Sequence, residues 1–354
     1  MTQRMDRRSF KNSLKTEARF FSRTAANHLT SILNNIGELQ PRDGRPLVVD
    51  AGPGTDFHTL YRARVFQSDD KLEAALGRPD IHLGSPPAPL AAAGRMNARG
   101  ISVFYGTNNQ KAAIAEVRPP VGSQVAVAQF EIIRKLRLLD LTALSDVRVA
   151  GSIFEGAVFL RSLRGRLTRS VMPEDDPFEY LVTQAIADFL ATEASVPIDG
   201  IIFPSVQAAG GVLNVVLFHK AARVEAMNLP EGTEISASTG RWAEDGWVDD
   251  YEVVERVPAL HKEVDKNEQE PRWPDFAAIA EAMPLDPRDA DWRDASLRIV
   301  FESMEVHRVK GVEFATDEFT VKRHRREKRD GIMAPGMRCR TSSPTLQRFQ
   351  QRDK

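Results

Sequence analysis

The chain has 354 residues, 42% of them hydrophobic and 27% charged, with a formal net charge of −1. That balance suits a folded protein of one large domain with extensions or of two domains, and it offers no overall field to draw in nucleic acid or an anionic membrane. A single cysteine, Cys339, excludes an internal disulfide, and seven scattered histidines show no zinc spacing, so no metal site is expected and a reducing, cytoplasmic location fits best.

The first 21 residues, MTQRMDRRSFKNSLKTEARFF, are charged and lack an apolar centre, so they do not read as a secretory signal. No run approaches the roughly 20 apolar residues of a membrane helix, and no membrane association is expected. Phe10, Leu14, Phe21, Ala25, Leu29, Ile32, Leu33 and Ile36 recur at three- and four-residue spacing, which predicts a helix over 9–39. Ser9 suits its cap, and Gly37 and Pro41 end it. Its apolar stripe fits packing on the main domain or on a second chain, and a homo-oligomer is expected. Residues 1–46 therefore form an N-terminal helix and linker.

From 47 to 225 the texture changes to short β-rich runs: LYRARVF, ISVFYG, QVAVAQFEI, LRLLDL, GIIFP and VLNVVLF. In QVAVAQFEI, Val125, Val127, Gln129 and Glu131 alternate with Ala126, Ala128 and Phe130, as in a strand with two different faces. Two helical segments interrupt the strands, NNQKAAIAEV and PFEYLVTQAIADFLATEA; the second is expected to pack in the core. The stretch 77–94, with four prolines and three glycines, predicts a long loop.

After 225 the composition shifts again. All four tryptophans lie here, residues 244–255 carry six acids and no base, and residues 322–329 carry six bases and one acid. Residues 226–354 thus read as an appendage rather than part of the β-rich core, ending in a basic tail of about 30 residues with the composition of a disordered segment. That tail suits a solvated end, and it is the one place where nucleic acid or an acidic partner could be touched.

Four spots in 47–225 could carry chemistry. In LYRAR, Arg62 and Arg64 share one strand face beside Tyr61; an arginine facing a cleft suits a phosphate or pyrophosphate, although a surface ion pair is the plainer alternative. In GRMNARGISVFYGTNNQKAAIAEV, Arg95 and Asn97 sit in a turn bracketed by Gly94 and Gly100, and a strand ends at Tyr105 and Gly106. Thr107 or Asn108 then caps a short helix ending at Glu116, on what looks like its buried side beside Ala112, Ala113 and Ala115. In DGIIFPSVQAAGGVLNVVLF, Ser205 and Asn214 interrupt apolar strands and need partners if buried. Ser205 lacks the flanking glycines of a nucleophile elbow, so a hydrogen-bonding role suits it better than attack. The last, PFEYLVTQAIADFL, reads as core packing. No G-x-G-x-x-G opens a helix after a strand, which argues against a dinucleotide-binding Rossmann domain.

Taken in order, Arg62, GRMN, Tyr105 before AIAEV, DGIIFPS and GGVLNVVLF resemble the RES domain, named for its Arg, Glu and Ser, over about residues 58–222. The resemblance implies an α+β fold: a compact mixed β-sheet core with flanking helices, similar to the ADP-ribosyltransferase fold, here with an N-terminal helix and a C-terminal appendage. It implies toxins of bacterial toxin–antitoxin pairs that destroy NAD+, with NAD+ as substrate, no separate cofactor, and a cognate antitoxin as partner. Carried over by motif, the named residues are Arg62, Glu116 and Ser205, with Tyr105 and Asn214 matching the family's tyrosine and asparagine. Arg95, Asn97 and Tyr61 join them as candidates for substrate binding.

A lone carboxylate is consistent with such a substrate. Ordinary glycosidases use two because the leaving oxygen must be protonated. Nicotinamide in NAD+ is already cationic and departs neutral without a proton. The departures from the family are the leading helix and about 130 residues behind the domain. Water, phosphate and a protein side chain remain open as acceptors, as does a non-catalytic nucleotide-binding scaffold.

Overall fold

The computed structural model describes residues 22–33, 36, 45–146, 153–169, 178–208, 210–258, 291–313, 316 and 318–324. Contacts divide the chain into two units, Met1–Val312 and Glu313–Lys354, and every helix and strand named here lies in the first. In order they are α1 (Arg23–Leu33), β1 (Val48–Ala51), β2 (Thr59–Phe66), α2 (Asp69–Gly77), α3 (Pro79–His82), β3 (Phe104–Thr107), α4 (Gln110–Glu116), β4 (Gln124–Ile132) and β5 (Leu136–Asp140). Then come α5 (Ile153–Leu167), α6 (Phe178–Thr192), β6 (Gly200–Pro204), β7 (Leu213–Leu217), β8 (Glu234–Ala243), β9 (Gly246–Arg256) and β10 (Leu297–Arg308). The class is α+β.

Eight strands form one sheet in the order β1-β5-β6-β7-β3-β2-β4-β10. Every neighbouring pair is antiparallel except β5–β6, whose parallel pairing results from the helical crossover between them. Alternation along each strand sends side chains to two cores. On one face Leu139, Ile201, Phe203 and Val216 pack under α1, α5 and α6 through Leu29, Leu33, Leu160, Leu163, Ile186 and Leu190. On the other, Leu60, Phe104, Phe130, Leu138, Ile202 and Leu217 pack against Leu72 and Leu76 of α2. Phe104 and Phe130 meet edge to face, 4.9 Å between ring centroids, an arrangement that contributes about 1 kcal/mol beyond the area it buries. A small third cluster sets Ala113 of α4 on Ala63, Val125 and Val127.

Several sequence expectations change here. Of the helix predicted over 9–39, the described residues form α1, with Ala25, Leu29 and Leu33 buried; Ser9 lies outside the described residues. The predicted loop 77–94 contains the helical turn α3 and is pinned by Ser85 Oγ donating to Ala222 O and Ser102 Oγ donating to Pro86 O, each at 2.6 Å. The boundary drawn at 225 does not separate the sheet from the C-terminal third of the chain. β10 pairs with β4 from Leu297↔Ile132 to Arg308↔Gln124, with a bulge between Val300 and Glu305, because Leu297 and Ile299 complete the core around Phe130. The acidic stretch 244–255 falls on the β8–β9 hairpin, where Asp250 pairs with Arg241 and Asp249 with Arg308. Glu73 of α2 anchors the hairpin by accepting from the Thr239 N–H and hydroxyl at 3.1 and 3.2 Å.

Candidate active site

β2 and β3 are paired at one position only, Tyr61↔Thr107, whereas β2 pairs with β4 over eight positions. On the same side of the sheet, α4 covers β2 and β4 while α5 and α6 cover the other half. Between them lies a cavity of about 540 Å³. Tyr61, Arg62, Arg95, Tyr105, Glu116 and Asn214 all line it, so six of the eight candidate residues are brought to one place by strand order, not by sequence proximity.

Glu116 is the last residue of α4. Asn109 caps the start of that helix, its side chain accepting from Ala112 N at 3.0 Å; of the two expected caps, Thr107 accepts from Asn109 N at 3.4 Å and Asn108 accepts from Leu213 N at 2.9 Å, which ties α4 to β7. Glu116 was expected on the buried side, but it is exposed, because at the helix end its side chain leaves the small-residue face of Ala112 and Ala113 and enters the cavity rim. Ser205 Oγ and Asn214 Nδ2 both donate to Glu116 Oε1 at 2.7 Å. Ser205 Oγ itself accepts from Gln207 N at 3.1 Å and Ala208 N at 3.3 Å. With its lone pairs engaged, the hydroxyl has one place left for its proton, Glu116. One carboxylate oxygen of this cavity-lining residue is thereby fixed. Ser205 therefore spends its proton on the Glu116 carboxylate.

Arg62 supplies the positive charge. Its guanidinium carbon sits 4.7 Å from the centroid of the Phe104 ring, and Nη1 is buried without a hydrogen-bond partner. Burial pushes its pKa down to about 9, with the nearby Arg64 charge adding to the effect and Tyr105 opposing it. Arg64 is also held down by burial, and its Nη2 donates to Gly84 O at 2.9 Å. A buried cation with an unused donor beside a cavity is a place for an anion. Asn214 adds the complementary feature, a buried Oδ1 with no donor.

Tyr105, Asn97 and Arg95 make up the cavity's frame. The Tyr105 hydroxyl donates to Asn97 Oδ1 and accepts from Met96 N, both at 3.1 Å, and burial pushes its pKa up to about 12. Asn97 commits its amide nitrogen to the carbonyls of Ala92, Ala98 and Ile101. Gly94 is needed here, since a Cβ would stand 2.6 Å from Asn97 Oδ1 and 3.0 Å from the Tyr105 hydroxyl. Arg95, expected to bind substrate, directs its guanidinium to Arg166 O, Leu167 O and Arg169 O, where it caps the C-terminal carbonyls of α5. Gln184 of α6 donates to Gly94 O at 2.8 Å and Asn97 O at 3.0 Å. Sequence reasoning missed Gln184, Arg118 and Gln207, and it took Asn108 for a helix cap only; the amide of Gln184 beside the apolar Ala185 and Ile186 was the one visible signal.

A family model, the RES domain, matches residues 59–238. The chain belongs to the RES domain family. That family is associated with NAD+-related toxin function. The match spans Arg62, Glu116, Ser205 and Asn214, and it runs past the expected end near 222 into β8. No curated protein matches the chain. Among the described residues, no helix of this RES protein is long and apolar enough to cross a membrane.

Proposed function

We propose that this RES protein cleaves the nicotinamide–ribose bond of NAD+, as a glycohydrolase or phosphorylase. The observation that carries the reading is a carboxylate oriented by Ser205 and Asn214, in one cavity with a buried arginine that has an unused donor. Arg62 takes a pyrophosphate oxygen, which offsets the cost of its burial. Tyr105 flanks the nicotinamide. The C–N bond breaks and its electron pair leaves with neutral nicotinamide. Cationic character then grows on the ribose, and the Glu116 carboxylate stabilises it where the charge develops. The incoming water or phosphate bonds to the ribose carbon, and Glu116 takes up or orients its proton. Asn214 Oδ1 accepts from a ribose hydroxyl or from the nucleophile.

As the toxin of a pair, the protein would be restrained by a cognate antitoxin. Labelled NAD+ tests the reading: nicotinamide with free ADP-ribose indicates hydrolysis, a phosphorylated ADP-ribose indicates phosphorolysis, and label on protein indicates transfer. No nicotinamide release in any condition would refute it.

A further inference from the structure

Arg118 lies two residues beyond the end of α4 and lines the same cavity, yet neither the family motifs nor the proposed cleavage uses it. Among the described residues it is the single non-glycine with positive φ, at 46°. Pro119 comes next, and a residue before proline is normally driven to extended backbone. An L side chain is disfavoured in this conformation and glycine is favoured, so an arginine held there points to a side chain with a task. That side chain lies beside Gln207, which lines the same cavity. With the Gln207 amide turned so that its oxygen meets the guanidinium, Arg118 Nε and Nη2 donate to it at 3.2 and 2.8 Å.

The contact closes a ring. Gln207 N donates to Ser205 Oγ, Ser205 Oγ donates to Glu116 Oε1, and Glu116 is joined to Arg118 by the chain through Val117. Gly210 and Gly211, with φ of 89° and 78°, leave the segment after Ser205 little intrinsic stiffness, so beside the Ser205 N–H bond to Val212 O at 2.9 Å its placement draws on side-chain anchors. A planar two-pronged guanidinium fixes Gln207 in both distance and direction, which a lysine cannot do.

We infer that Arg118 is a positioning residue: it clamps the Gln207 side chain so that the Gln207 backbone N–H holds the Ser205 hydroxyl on Glu116. The inference rests on the proposed NAD+ cleavage, and it concerns turnover rather than substrate affinity. A displaced Ser205 leaves Glu116 held by Asn214 alone, so the carboxylate can shift relative to the reacting carbon, and a small misplacement of that kind costs rate steeply.

The test compares wild type, Arg118→Gly, Gln207→Ala and the double variant by steady-state kinetics on NAD+, thermal melting and amide hydrogen exchange. Glycine suits the backbone at 118, so Arg118→Gly should melt no lower than wild type, which separates function from folding. Its kcat should fall on the order of tenfold with KM little changed, the double variant should be no worse than Arg118→Gly, and the amides of Gln207 and Ala208 should exchange faster. An unchanged kcat, a change confined to KM, or unchanged exchange at those amides would overturn the inference. Faster exchange in Arg118→Gly beside a wild type that does not cleave NAD+ would uphold the clamp and remove the functional reading beneath it.

Discussion

Arg62→Met should make the empty protein more stable while removing its grip on NAD+. The fall of the Arg62 pKa from the ordinary arginine value to about 9, at about 1.4 kcal/mol per tenfold, caps the cost of burying that charge at about 5 kcal/mol. Methionine keeps the stem, removes the charge and the unpaired Nη1, and gives up a stacking contact on Phe104 that contributes about 1–2 kcal/mol. After relaxation around the cavity, the expected net gain is about 1–3 kcal/mol at pH 7. The sign with pH is specific. A base whose folded pKa is depressed carries its full cost below pH 9 and loses that cost as pH climbs toward the ordinary arginine value. The advantage of Arg62→Met should therefore shrink by about 2 kcal/mol between pH 7 and pH 10.5. Urea unfolding of both proteins at the two pH values measures this, and ADP-ribose added at pH 7 should raise the melting temperature of wild type alone. A variant less stable than wild type at pH 7 by about 1 kcal/mol or more would refute the reasoning, because it would mean the charge already has a partner in the empty site.

The same geometry sets three further outcomes. Arg95→Ala uncovers three carbonyls at the end of α5 and should lower stability by about 1–3 kcal/mol in urea unfolding, with the larger share of its effect on folding rather than on KM. Tyr105→Phe leaves Asn97 Oδ1 and Met96 N without the shared hydroxyl and should cost about 1–3 kcal/mol by the same assay. Ser205→Ala removes one of two hydrogen bonds to Glu116 Oε1; kcat should drop about 10- to 100-fold with the melting temperature nearly unchanged, and an undiminished kcat would deny Ser205 its role.

Strands and site were legible where local pattern decides them. QVAVAQFEI alternates because β4 is buried on both faces by different neighbours, and it proved to be the strand that β2 and β10 flank. α5 escaped because Gly156 and Gly165 weaken a helix by about 1 kcal/mol each. Gly156 is there for packing: a Cβ would stand 2.7 Å from the Ile32 carbonyl of α1, a contact no local pattern encodes. β10 escaped because it lies far along the chain among charged residues, and only its pairing with β4 gives Leu297 and Ile299 a core. The site divides in the same way. Arg62, Glu116, Ser205 and Asn214 stand in quotable motifs, whereas the orientation of Glu116 depends on hydrogen bonds spanning 89 and 98 residues. The motif around Arg95 gives its charge but not its partners, the carbonyls of Arg166, Leu167 and Arg169.

Nicotinamide release from NAD+ by wild type and Glu116→Gln, measured side by side, decides whether this carboxylate carries the reaction. The glutamine carbonyl can still accept from Ser205 and Asn214, so the variant should fold and melt like wild type while its carboxylate charge is gone. Release by wild type and none by the variant is the expected result. Equal release by both would show that the bond breaks without Glu116.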